Sequence, residues 1–350
     1  MGYDMERALR RNVEFMSDPA KTGALIRVGG FGQVALPGID ALETFDFPRE
    51  ITKFCDQTIA NCLAYKEARK DIDDDWLPAL KPYMGIAEHS CFMGGGVSYG
   101  GNTSYHHPPL NDITEWTGIK LDPLHPHYKM LLDGMAYLQE KSKSGEFYVS
   151  LRGGDGPMDI ANAVRGNDLL YDFYDEPEAV KEFTAFCAEG TRWTFENQRP
   201  FASKLCGGYI SGMSVWMPGN CIGHISEDAS CLCSVEMYRE FGLPFTRKLL
   251  ENYDYAMLHV HSLGRADIPA FAEMDKLQVF QLSGDPNQPS GLEVYKEYAD
   301  TLTGRVVLLD MTPAEIYASA DFLKGRRTII NTSAPSVDEA RRIVDFVRTL

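Results

Sequence analysis

The chain has 350 residues, 44% of them hydrophobic, which is enough for one large α/β domain or two ordinary ones. Its formal charge of −16 argues against a nucleic-acid partner, because backbone phosphates would be repelled and no basic run offsets the repulsion. No stretch reaches the roughly 20 apolar residues of a membrane span, and the opening MGYDMERALRRNVEFM lacks the apolar core of a signal segment, so the expectation is a cytoplasmic protein with no membrane partner.

In chain order, helices are expected over about 4–16 and 49–69, then an acidic turn at 73–75 followed by WLPALKPYMG. Residues 1–72 read as a helical elaboration before a single 1–350 domain. The segment 94–109, rich in glycine and aromatic residues, reads as an irregular loop of the kind that forms lids or ligand-binding edges, and Tyr99 within it is a candidate substrate contact. A helix over about 127–143 leads into a strand over 147–152, and the turn GGDGP after it puts Asp155 at a strand end, where it is either a site residue or an Asx-turn former. Trp216, in SVWMPGN, is a candidate pocket wall or a core aromatic.

The C-terminal half alternates regularly. Apolar runs at 255–261, 277–282, 305–309 and 327–331 each precede a helical segment, at 267–275, 292–302, 313–323 and 337–350. Four βα units in a row imply a parallel sheet. Thr312 before Pro313, and Ser336 with Glu339, are N-terminal caps, while Gly304 and Gly325 serve as stops. No GxGxxG follows a strand, so the expected fold is a (β/α)8 barrel, with an open doubly wound sheet as the alternative.

The run YAMLHVH ends on two histidines. Alternation along a strand sends His259 and His261 to one face, at the strand end where a barrel keeps its chemistry. Two imidazoles there suit metal binding or proton transfer; the alternative is a buried structural histidine beside a helix cap. None of the eight cysteines forms a CxxC pair, and Cys231 and Cys233 lie just before a helix, so free thiols are expected.

The segment GDGPMDIANAVRGNDLLYDFYDEPEAVKEF, at 154–183, resembles the uroporphyrinogen decarboxylase superfamily. DDDWLPALKPYMGIAEHSCFMGGG, at 73–96, and EDASCLCSVEMYREFGLPFTRKLL, at 227–250, agree with it in order. The resemblance implies a (β/α)8 barrel and one of two chemistries. The first is decarboxylation of a tetrapyrrole or another carboxylate, whose enzymes carry an N-terminal Arg-x-x-Gly-Arg; here ALIRVGGFG, at 24–32, offers Arg27 alone as a substrate contact. The second is methyl transfer with corrinoid carriers and, usually, zinc.

The methyltransferase branch places His-x-Cys where this chain has His259-Val260-His261, and a further cysteine where it has IINTSAPS. A bound zinc would therefore take nitrogen and oxygen ligands: His259, His261 and a carboxylate from Glu227 or Asp228, with Glu227 carried as the ligand. In acid/base chemistry His259 or His261 would work with Asp155 or Glu227 as orienting carboxylate. His224 is a spare candidate; His89, His106 and His107 are weaker ones. The expectation is a methyltransferase acting on a small methylated substrate, with a corrinoid protein as partner and a homodimer as candidate assembly. The alternatives are the decarboxylase and a non-catalytic binding protein.

Overall fold

The computed structural model describes residues 2–30 and 36–350; Phe31 and Gly32 of the ALIRVGGFG stretch lie outside the described residues. At its centre is a sheet of seven strands, numbered here in chain order: β1 Gly23–Gly29, β2 Gly154–Asp155, β3 Cys221–Ser226, β4 Tyr255–His261, β5 Leu277–Ser283, β6 Val306–Asp310 and β7 Arg327–Ser333. They lie in the order β1-β7-β6-β5-β4-β3-β2, with every pairing parallel. That order is a ring cut at one seam, between β1 and β2, and the architecture is barrel-like α/β.

Closure of the expected eight-strand barrel is not shown. Among the described residues no ladder joins β1 to β2, and a separate two-stranded parallel pair, Ala79–Leu80 with Tyr148–Val149, stands beside the gap. The outer edge of β1 is instead bonded by side chains. The Ile26 N–H donates to Asp75 Oδ2 at 2.8 Å and the Val28 N–H to Asp74 Oδ2 at 2.9 Å, while the Asp75 N–H donates to Ile26 O at 2.8 Å. Both carboxylates are fully buried and matched by arginines. Arg69 meets Asp74 at 2.7 Å; Arg11, from the helix Met5–Ser17, meets Asp75 at 2.5 Å, and Arg348, just after the helix Val337–Val347, meets it at 2.7 Å. Between the two helices of the 1–72 stretch, Gly23–Gly29 supplies the sheet strand β1.

The C-terminal units form as their caps and periodicity predict. Thr312 accepts from the Glu315 N–H with Pro313 at the first helical position, Ser290 and Glu293 make a reciprocal capping box, and Ser336 accepts from the Glu339 N–H. In β4 the residues Ala256, Met257, Leu258 and Val260 are buried, and the two histidines are half-buried. The expected irregular loop at 94–109 is instead an antiparallel hairpin, Gly96–Gly100 with Thr103–His107. Gly101, at φ +61°, lies in its turn and serves a tight reversal. No helix among the described residues is long and apolar enough to cross a membrane.

Candidate active site

A cavity of about 840 Å³ opens at the C-terminal ends of β2, β3 and β4, lined by Asp155, Ser226, His259 and His261 from those ends. The β3–β4 register sets Ser226 opposite His259, and the β4–β5 register sets Gln281 opposite His259. Backbone pairing alone therefore brings these groups together.

The histidine pair is held from outside. His261 Nδ1 lies 2.7 Å from Asp285 Oδ1, and His259 Nδ1 meets Gln281 Oε1. A carboxylate only accepts, and the Gln281 oxygen accepts as placed, so each Nδ1 donates outward and each Nε2 is turned to the cavity side. The two Nε2 atoms face each other at 2.9 Å. That contact is a hydrogen bond when one Nε2 donates; with neither protonated, both lone pairs are free to turn toward a cation in the cavity. Asp228 Oδ2, 3.7 Å from His261 Nε2, supplies a third donor, and the three ligand atoms all lie within 4.8 Å of one another. Two imidazoles fixed by outer hydrogen bonds, with one carboxylate, fit a divalent cation of the zinc type.

The second feature is acidic. Asp159 accepts from Ser226 Oγ at 2.8 Å and from the Ala229 N–H at 2.6 Å. Burial first, then repulsion from Asp228, Asp155 and Glu227, pushes its carboxyl well above the usual range. Asp228 is also raised, by removal from water and by Asp155 and Asp285, although His259 and His261 pull it back and 46% of its side chain stays exposed. Asp285 is lowered: burial opposes this, but the Leu263 N–H, His261 and Ser262 outweigh it.

The sequence-derived candidates separate in space. Asp155 lines the cavity, but it pairs with His89 Nδ1 at 2.6 Å rather than with His259 or His261; Gln281 and Asp285 hold those two instead. Glu227 does not join the histidines. It is 3% exposed and accepts from Thr246 Oγ1, and its carboxyl is pushed up to about 8 by burial, against the Thr246 hydrogen bond. Asp228 stands in the place considered for it, since consecutive side chains leave the β3 end in different directions. Trp216 is a core residue, 1% exposed, with Nε1 donating to Leu205 O at 2.8 Å. Tyr99 lies outside the cavity lining, bonded to His127 Nδ1 at 2.8 Å and packed on Phe47. Arg27 is buried and donates to Met213 O at 2.9 Å, reaching a wall residue without lining the cavity itself.

Of the other histidines, His224 lines the cavity against Gly212, and desolvation foremost holds its imidazole well below its ordinary pKa. His106 bonds Ser90 Oγ and Gly94 O, and His107 bonds Ser98 Oγ. Asp285, Gln281, Asp159, Lys81 and Arg152 were not singled out from sequence. Gln281 carried a signal, as a polar residue flanked by Phe280 and Leu282 within the run LQVFQLS, and Asp285 follows that strand's end. All eight cysteines are free.

No family model matches the chain, and no curated protein sequence matches it. Solved structures do match. Among them is a methyltransferase from Methanosarcina mazei, similar over 98% of this chain and 98% of that one, with a TM-score of 0.64 and 12% identity. At that identity the likeness is one of fold.

Proposed function

We propose that the protein is a methyltransferase that removes a methyl group from a small methylated substrate bound in the cavity, with zinc held by His259, His261 and Asp228. The grouping of two imidazole nitrogens and one carboxylate oxygen within 4.8 Å of one another carries this reading, because that is a donor set suited to zinc. The methanogen methyltransferase of like fold and the His-x-His strand end at the barrel mouth agree with it.

When bound, zinc would polarise the oxygen, nitrogen or sulfur that carries the methyl group and make it a better leaving group. The chain's own residues do the positioning. Asp285 and Gln281 fix the two imidazole planes, Ser226 and Ala229 hold Asp159, and Asp159, whose carboxyl burial pushes well above its usual range, lines the same cavity as the proton donor of this reading. The acceptor in this reading is a corrinoid carried by a partner protein. The exposed Ile86, Tyr105 and Leu232 of the cavity lining offer that partner an apolar edge.

Elemental analysis of protein purified without chelators tests the reading. Stoichiometric zinc in the wild type, lost in His259→Ala and His261→Ala, is the expected result; wild-type protein without zinc would remove it.

A further inference from the structure

The cavity also has a cationic wall. Lys81 and Arg152 both line it, and both stand by the ring of Tyr83, with Arg152 Cζ 4.5 Å and Lys81 Nζ 5.8 Å from its centre. Lys81 donates to Gly212 O, and Gly212 lies against the ring of His224. His224 comes two residues before Ser226, the partner of His259 in the β3–β4 register. The lysine therefore lies on the stretch of wall next to the histidine pair.

In a chain of net charge −16, Lys81 has no carboxylate partner among the described residues; a peptide carbonyl is its hydrogen-bond acceptor. Arg152, 1% exposed, bonds Gly85 O and faces Glu88 at 3.6 Å, and its Nε has no partner. Burial, then Arg152, pulls the Lys81 ammonium down to about 7. An ammonium drawn into protein without a counter-ion destabilises the fold unless a ligand supplies the missing charge.

We propose that Lys81 and Arg152 form a subsite for the carboxylate of a small substrate, so that the substrate is a methylated carboxylic acid whose methyl-bearing end faces His259, His261 and Asp228. The inference rests on the methyl-transfer reading of that group.

The test is calorimetric titration of the full-length protein, below pH about 7, with 3-methoxypropanoate and with its neutral amide as probes. Wild type is expected to bind the acid about tenfold more tightly than the amide, the effect of one charge-assisted hydrogen bond. Lys81→Met should lose that preference while keeping its amide affinity and its zinc content, and Lys81→Arg should keep the preference. A purely structural lysine would instead lower the melting temperature of Lys81→Met and leave the acid-to-amide ratio unchanged. Equal or absent binding of the two probes to wild type, or a preference that survives in Lys81→Met, overturns the proposal. If Lys81→Met does not fold, the wild-type comparison still decides. Zinc analysis of the same samples separates the two readings: acid preference without zinc sinks methyl transfer and leaves the subsite standing, and zinc without acid preference does the reverse.

Discussion

The two walls of the cavity are built by different means. On the β4–β5 side, backbone register places His259 beside Gln281, and Asp285 follows the end of β5; ladder hydrogen bonds do the positioning. On the other side, residues 81–155 run through short strands, helical turns and the helix Pro126–Ser142, and Lys81, His89 and Arg152 are placed by individual contacts with Gly212 O, Asp155 and Gly85 O. A ladder-built wall resists single side-chain changes in its fold and concentrates their effect on chemistry. A contact-built wall couples each change to stability as well.

Four substitutions would break or sharpen that contrast, taken from the largest expected effect to the smallest. His261→Ala should abolish zinc binding by elemental analysis with little change in thermal stability, because the ladder does not depend on the imidazole; a large loss of stability would contradict a register-built wall. Asp75→Ala should lower stability to urea by about 3–5 kcal/mol, the usual cost of stranding buried partners of a charge. Here Arg11, Arg348 and the Ile26 N–H lose their acceptor together.

Glu227→Gln should act through pH. The Glu227 carboxyl stays neutral in the folded chain up to about 8, but ionises near 4.5 when unfolded. Between those values the folded chain holds a proton that the unfolded chain has released, so stability falls as pH rises across the window. Glutamine removes that slope, so melting curves of variant and wild type should coincide near pH 4.5 and diverge in the variant's favour at pH 8, by on the order of 2–4 kcal/mol. Identical slopes would show that Glu227 is ionised in the fold. Asp285→Asn should weaken zinc affinity by about 10–100-fold in a chelator competition, because an outer partner orients the imidazole without touching the metal. An unchanged affinity would mean that Leu263 and Ser262 organise this corner by themselves.

The same contrast explains what could be read from sequence. The four C-terminal βα units and their caps announce themselves because near-continuous apolar runs and Thr312 or Ser336 caps act over a few residues. The histidine pair was visible for the same reason. Glu227 and Asp228 could not be ranked, since which of two neighbours points inward depends on how β3 ends in the short helical turn Asp228–Leu232. Lys81 and Arg152 were invisible because nothing local marks a lysine whose counter-ion is missing; that is a property of the folded surroundings. Trp216, readable from sequence as pocket wall or core, is core and bonded to Leu205 O, and Tyr99 is bonded to His127 rather than lining the cavity. Of the stretch that carried the family resemblance, Arg165 and Asp172 form an ion pair at 2.7 Å between successive helices, a contact that concerns folding rather than chemistry.

The clasp on β1 has one more effect. An open strand edge offers alternating donors and acceptors to any extended chain that comes near, which is how sheets grow into aggregates. Asp74 and Asp75 occupy the Val28 and Ile26 amides with oxygens that cannot pass the pattern on, and three arginines hold those oxygens in place. A second copy of the chain cannot lengthen the sheet at β1 without first displacing both carboxylates.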